Sequence, residues 1–283
     1  PSDVAYKQHV PLAWIGKSFL AVLALLVTYI LGKNLIQDPR LFLQFVLNGL
    51  QLGFVYAMIA LGYTMVYGIV KLINFAHGDV FMVGAFVSYF AVTDFNLHTW
   101  PMSVFPSIPQ WLSVVVGSVS VIILSMVICA LLAVVIERVA YKPLRDAPRI
   151  AALITAIGVS FFMEYFGALQ FVFSARFIPY TRPFEVVTWY VKDGIHMLQA
   201  GESTPEGSIT FSNIFLIIVA TSLLVQLLLQ FLVRRTKIGI AMRATSFDKN
   251  AARLMGIKVD SVISFTFAIG AAFAGLGGVL FAI

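Results

Sequence analysis

The chain has 283 residues, 60% of them hydrophobic and 11% charged, with a formal charge of +6 and a mean hydropathy of +0.94. This balance excludes a soluble globular domain of this length and describes a polypeptide solvated mostly by lipid. The single cysteine, Cys129, lies in an apolar run, so an intrachain disulfide is excluded and a small buried hydrophobe is the expected role.

Seven apolar stretches follow along the chain, at 12–31, 42–70, 72–93, 112–136, 151–173, 212–233 and 262–283. Lipid cannot satisfy backbone groups, and the runs are far too long for barrel strands. They are therefore predicted as helices of an all-α, polytopic transmembrane protein. The first is interrupted by Lys17 and lacks a small-residue cleavage site, which predicts a retained helix and not a signal peptide. The second is overlong, so 42–50, with Gln44 and Asn48, is predicted as an interfacial elbow before 51–70 crosses.

The second and third stretches meet at the most informative feature of the chain. Residues 41–70 carry no charge, then come Lys71, Asn74, His77, Gly78 and Asp79, and then a second apolar run, 80–93. A bilayer-spanning helix needs roughly 20 apolar residues. The run 80–93 is too short alone and must recruit 72–76, which brings Asn74, His77 and Asp79 to or near membrane depth. Polarity there is costly and suggests a path or gate. Broken helices can line such a path with helix ends and freed backbone groups. Here Asn74 and His77 supply hydrogen bonds, Gly78 permits an unwound turn, and Asp79 can cap the following helix. The competing account has Asn74 and Asp79 capping a tight hairpin, with His77 a satisfied polar core residue.

Basic residues set the orientation. The segment 137–149 carries Arg138, Lys142, Arg145 and Arg149, and 234–261 carries seven more, so both are predicted in the cytoplasm, with 94–111 and 174–211 outside. Counting back places Lys71 near the inner surface and the N-terminus inside. Of the nineteen Lys and Arg, only Lys33, Arg40, Arg176, Arg182 and Lys192 then fall outside, which explains the basic character without nucleic acid. The exterior segment 174–211 mixes both charges, including Asp193, Glu202 and Glu206, with Trp189 and Tyr190, and turns at 201–208. It is either a docking surface or a solvated connector.

The cytoplasmic segment 234–261 is too patterned for a simple turn. Thr245 with Asp248 fits a capping box, Ala251, Ala252, Leu254 and Met255 follow, and Gly256 is a natural stop, predicting one short amphipathic helix. It either rests on anionic lipid or docks into a groove on a cytoplasmic protein. Small residues at Gly49, Gly53 and Ala57, and at Gly270, Ala271, Ala274, Gly275 and Gly278, predict close helix contacts within the chain or with a partner. Glu137 and Arg138 are placed to pair at the membrane surface. Enzyme motifs are absent: Gly16-Lys17-Ser18 has Pro11 where a phosphate-binding loop needs its first glycine, and no metal-ligand spacing or nucleophile elbow occurs.

Three ordered blocks carry a family resemblance: Asn48 to Phe86 (NGLQLGFVYAMIALGYTMVYGIVKLINFAHGDVFMVGAF), Glu137 to Tyr165 (ERVAYKPLRDAPRIAALITAIGVSFFMEY) and Arg234 to Leu280 (RRTKIGIAMRATSFDKNAARLMGIKVDSVISFTFAIGAAFAGLGGVL). Together they resemble the LivH-type permease subunits of branched-chain amino acid ABC importers. The resemblance implies a permease in a bacterial inner membrane, paired with a second permease and resting on two cytoplasmic ATPase subunits. A periplasmic binding protein would supply its substrate. It also implies that the chain binds no cofactor itself, that ATP is used by the partner subunits, and that 245–256 is an ATPase-coupling helix.

The sequence also departs from that pattern. Residues 1–40 are an N-terminal extension with its own helix, ahead of a permease domain at 41–283. Asp79 stands where many relatives carry Glu, and Glu164 is charged where relatives often have an uncharged polar residue. The chain stops at Ile283 inside an apolar run where the family continues, so an incomplete permease is expected. Import of urea, short amides or aromatic acids by the same architecture is the nearest alternative. A stand-alone secondary transporter or channel and an intramembrane enzyme using His77, Asp79 and Glu164 are further ones.

Overall fold

The computed structural model describes residues 10–145, 147–174, 176, 178–192, 194–198, 204–205 and 207–283, and the side chains of 10–13 and 149 lie outside that description. The chain divides into two compact units, residues 1–50 with 187–212, and residues 51–186 with 213–283.

In the first unit, α1 (Val10–Gln37) is apolar on every side and has no buried residue in its span, as befits a helix solvated by lipid. Asp38 separates it from α2 (Pro39–Val70) and caps the latter, its Oδ1 accepting from the backbone N–H groups of Arg40 and Leu41 at 3.1 and 3.0 Å, with Pro39 at the first helical position. The elbow predicted at 42–50 does not form. The helix runs unbroken for 32 residues, about 48 Å at 1.5 Å per residue and well beyond a ~30 Å hydrocarbon core. Partners from the segment 174–211 explain the difference. The Gln44 amide accepts from Thr210 N–H at 2.7 Å and donates to Thr210 O at 3.0 Å, and Arg40 donates to Gly207 O at 3.0 Å. Of the two polar side chains of the predicted elbow, Gln44 thus meets backbone and Asn48 accepts from the Gln44 amide at 3.0 Å.

That backbone belongs to a three-stranded antiparallel sheet which the sequence reading missed: β1 (Thr188–Val191), β2 (Ile195–Met197) and β3 (Ile209–Ser212), in the order β2-β1-β3. Trp189 faces Phe211 across the β1–β3 pair with ring centroids 5.6 Å apart, and Gly194, at φ +141°, makes the turn between β1 and β2. The exterior charges Asp193, Glu202 and Glu206, and residues 201–203 of the expected turn, lie outside the described residues.

The second unit centres on α10 (Val259–Ala282), two thirds of which is buried (67%). It packs on α3 (His77–Thr93) and α5 (Gln110–Ile136), which also pack on each other. Its small residues are what allow this. A methyl group on Gly275 would meet Cys129 Sγ at 2.9 Å, one on Gly84 would meet Gly275 Cα at 2.6 Å, and Gly62 of α2 lies directly against the Gly270 carbonyl. Ser125, fully buried, donates to the carbonyl oxygens of Gly84 and Gly275 at 3.0 and 3.3 Å, tying three helices at one level. Gly49 and Gly53, by contrast, meet nothing within 4 Å.

The remaining elements are α4 (Trp100–Val104), α6 (Arg149–Gly167), α7 (Asn213–Arg235), α8 (Lys237–Phe247) and α9 (Lys249–Leu254), with α5 continuing through a π-helical turn at Glu137–Tyr141 and a 3-10 turn at Lys142–Leu144. Six helices among the described residues are long and apolar enough to cross a membrane. The stretch predicted as the third crossing yields α3 alone, whose 17 residues span about 25 Å.

Candidate functional site

The break after α2 begins at Lys71, whose φ of +61° is rare for a residue with a side chain and ends the helix abruptly. Residues 71–74 are not helical, and α3 starts at His77. Asn74 and His77 are both buried. The Tyr141 hydroxyl donates to Asn74 Oδ1 at 2.8 Å, and His77 Nε2 lies 3.2 Å from the Ile59 carbonyl, which can only accept, so that nitrogen carries the proton. The His77 ring also meets Tyr63 edge-on at 6.0 Å and packs beside Gly62, where a methyl group would come within 3.0 Å of its Cε1. Both side chains are therefore satisfied inside the subunit and hold the break against α2 and the end of α5.

Asp79 differs from its expected capping role. The residue preceding α3 is Ala76, with no side-chain cap, and Asp79 lies in the first helical turn, where its Oδ2 accepts from Ser160 Oγ of α6 at 2.5 Å. Gly78 is helical, so the unwound part is 71–76 and not at the glycine. Asp79 is half-buried and Glu164, one turn beyond Ser160, is exposed. Ser160 carries no mark in the sequence, because nothing in a run of apolar residues shows which hydroxyl faces a carboxylate 81 positions away.

A charged cluster forms where α5, the turns at Glu137–Tyr141 and Lys142–Leu144, and α10 meet. The Glu137 side chain has no exposed surface, pairs with Arg145 and accepts from Ser264 Oγ at 2.6 Å. Arg145 also holds Asp260 at 2.5 Å, and Asp260 lies 3.3 Å from Lys142 and 3.9 Å from Arg253. The pair expected between Glu137 and Arg138 is not made. Arg138 is exposed, because the π-helical turn carries Glu137 inward and the prolines beyond it fold Arg145 back over the carboxylate. Above this cluster lies a cavity of about 500 Å³ whose polar lining is Lys71, Arg145, Lys249, Tyr67, Tyr141 and the sealed Glu137.

The segment 234–261 forms two helices instead of the one predicted. Thr245 lies within α8, almost fully buried, and does not act as a cap. Asp248 caps α9, accepting from Asn250 N–H at 2.7 Å and Ala251 N–H at 3.1 Å, and Gly256, at φ +83°, stops it. Ala252 is buried and Ala251 exposed, while Phe247, Leu254 and Met255 are 95%, 89% and 82% exposed. A cluster of large apolar side chains thus stands free on a segment rich in Lys and Arg.

A sequence profile described as the branched-chain amino acid transport system permease component matches residues 45–283. The chain belongs to this permease family. The permease is 38% identical over 239 residues to the high-affinity branched-chain amino acid transport system permease protein LivH of Salmonella typhimurium, covering 84% of this chain and 70% of the relative. Over the same shares it is 37% identical to LivH of Escherichia coli and 35% identical to the corresponding protein BraD of Pseudomonas aeruginosa. No solved structure matches the permease. The matched region contains the break, the buried Glu137–Arg145 pair and the helices α8 and α9, and leaves α1 outside it.

Proposed function

We propose that this permease carries branched-chain amino acids across a bacterial inner membrane, driven by two separate ATPase subunits, alongside a second permease subunit and fed by a periplasmic binding protein. The observation that carries the reading is the 35–38% identity to branched-chain amino acid permeases over 239 residues, 84% of the chain. ATP would be bound by the partners. The N-terminus and the segments 137–149 and 234–261 are assigned to the cytoplasm from their basic residues.

In this reading α9 and its flanks form the ATPase-docking element, with Phe247, Leu254 and Met255 filling an apolar groove on the partner. Thrust on α9 passes through Arg253, Asp260 and Arg145 to Glu137 and so into the buried α10. Along the solute path, Asp79 and Ser160 present polarity between α3 and α6, while Asn74 and His77 keep the break in shape. Leu254→Glu would bury an unpaired carboxylate in the partner groove. It is predicted to separate the permease from its ATPase, or to lower substrate-stimulated ATP hydrolysis by at least tenfold, about 1.4 kcal/mol, with the membrane helices intact. Normal complex recovery and normal hydrolysis in this variant would remove α9 from the coupling role.

A further inference from the structure

The 500 Å³ cavity beside the break is lined by charges that do not cancel where a ligand can reach them. Its acid, Glu137, has no exposed surface and is consumed by Arg145 and Ser264. Its accessible cations are Lys249, half-buried, and Lys71, exposed, and among the described residues neither has a carboxylate partner. Lys249 spends one of its three N–H donors on the Val70 carbonyl at 3.1 Å. Burial holds its ammonium below the ordinary lysine range, and the neighbouring Arg145 and Arg253 lower it further. Holding a cation half-buried among other cations is costly unless an anion completes the site.

The walls narrow the choice of anion. The rest of the lining is apolar, with Leu72, Ile73, Ile150, Leu153, Ile263 and Phe267 its largest side chains beside Leu144, and Ile73 and Ile150 are exposed. Inorganic phosphate has no use for such walls. A free amino acid would need an acceptor for its ammonium group, and the only carboxylate in the lining is sealed. An amphiphile with a negative head and apolar tails satisfies both surfaces, and basic cavities between membrane helices are suited to such headgroups.

We propose that this cavity binds an anionic phospholipid, with Lys71 and Lys249 holding the headgroup phosphate and the apolar walls taking the first part of its acyl chains. A phosphate bridging the two lysines joins the end of α2 to the start of α9, so the bound lipid braces the cytoplasmic segment against the break. The inference does not depend on which solute is carried.

The test uses the full chain, purified with whatever subunits accompany it, in mixed micelles of equimolar phosphatidylcholine and phosphatidylglycerol. Bound lipid is counted by native mass spectrometry. The wild type is expected to retain phosphatidylglycerol preferentially, and each of Lys71→Gln and Lys249→Gln to reduce the preference about fivefold, equivalent to about 1 kcal/mol per lysine. The charge-keeping double variant Lys71→Arg/Lys249→Arg should retain it. Lys142→Gln, whose ammonium faces Asp260 outside the cavity lining, should also retain it. No preference in the wild type, or an unchanged preference in both glutamine variants, overturns the proposal. So does full displacement of the lipid by inorganic phosphate at an ionic strength where chloride displaces none, because the apolar walls would then play no part.

Discussion

Glu137 shows how far a single residue can depart from its local sequence. Beside Arg138 and within a basic loop it has every mark of a surface charge, yet it is fully buried and bound to Arg145, eight positions on, and to Ser264. Pro143 and Pro148 mark the run after Glu137 as an elbow that cannot continue as an α-helix, but not that it returns Arg145 over a buried carboxylate. A buried pair is costly to break because the survivor stays charged in a poor solvent. Arg145→Ala is therefore expected to destabilise the permease by about 3–5 kcal/mol, read as a lowered thermal midpoint in detergent, while Arg138→Ala leaves it unchanged. Equal effects of the two substitutions would return Glu137 to the surface pairing. Asn74 and His77 were legible as polar residues held at a break, but their partners, Tyr141 and the Ile59 carbonyl, lie 67 and 18 positions away and could not be read from the sequence.

At the scale of elements, the sequence placed the membrane helices well because each needs a long apolar run and lipid permits no other structure. It failed where water or protein replaces lipid. The elbow at 42–50 was inferred from excess length, whereas Gln44 and Arg40 continue the helix by binding the backbone at Thr210 and Gly207. The cytoplasmic helix was drawn from Thr245, whereas the cap lies three residues later at Asp248, because α8 already occupies residues up to Phe247. The three-stranded sheet left only short traces, the runs TWYV and ITFS. Small-residue spacing marks close packing on α10, but only the structure shows that Gly49 and Gly53 make no such contact within the chain. Gly275→Val is accordingly expected to destabilise by at least about 1–3 kcal/mol through overpacking against Cys129 and Gly84. Gly53→Val should leave the purified chain's thermal midpoint unchanged or raised. A reversed order of the two midpoints would contradict the three-helix core.

Over the whole molecule, the charge asymmetry and the order of the apolar runs predict a topology that labelling can check directly. Cys129 is fully buried, so the native chain supplies no reactive background. With an impermeant thiol reagent on intact cells, Thr204→Cys is expected to label and Asn250→Cys to label only after the membrane is opened. The opposite pattern would invert the whole assignment, and with it the cytoplasmic placement of α9.

The central claim is that this permease imports a branched-chain amino acid using ATP hydrolysed by partner subunits. Its most direct test is uptake of labelled leucine into proteoliposomes holding the permease with its second permease subunit and two ATPases, with the binding protein added outside. The account predicts accumulation of leucine that requires ATP inside and the binding protein outside, and that is abolished by Leu254→Glu. Accumulation of leucine without ATP, or ATP-dependent accumulation of urea or a short amide in place of leucine, would contradict it.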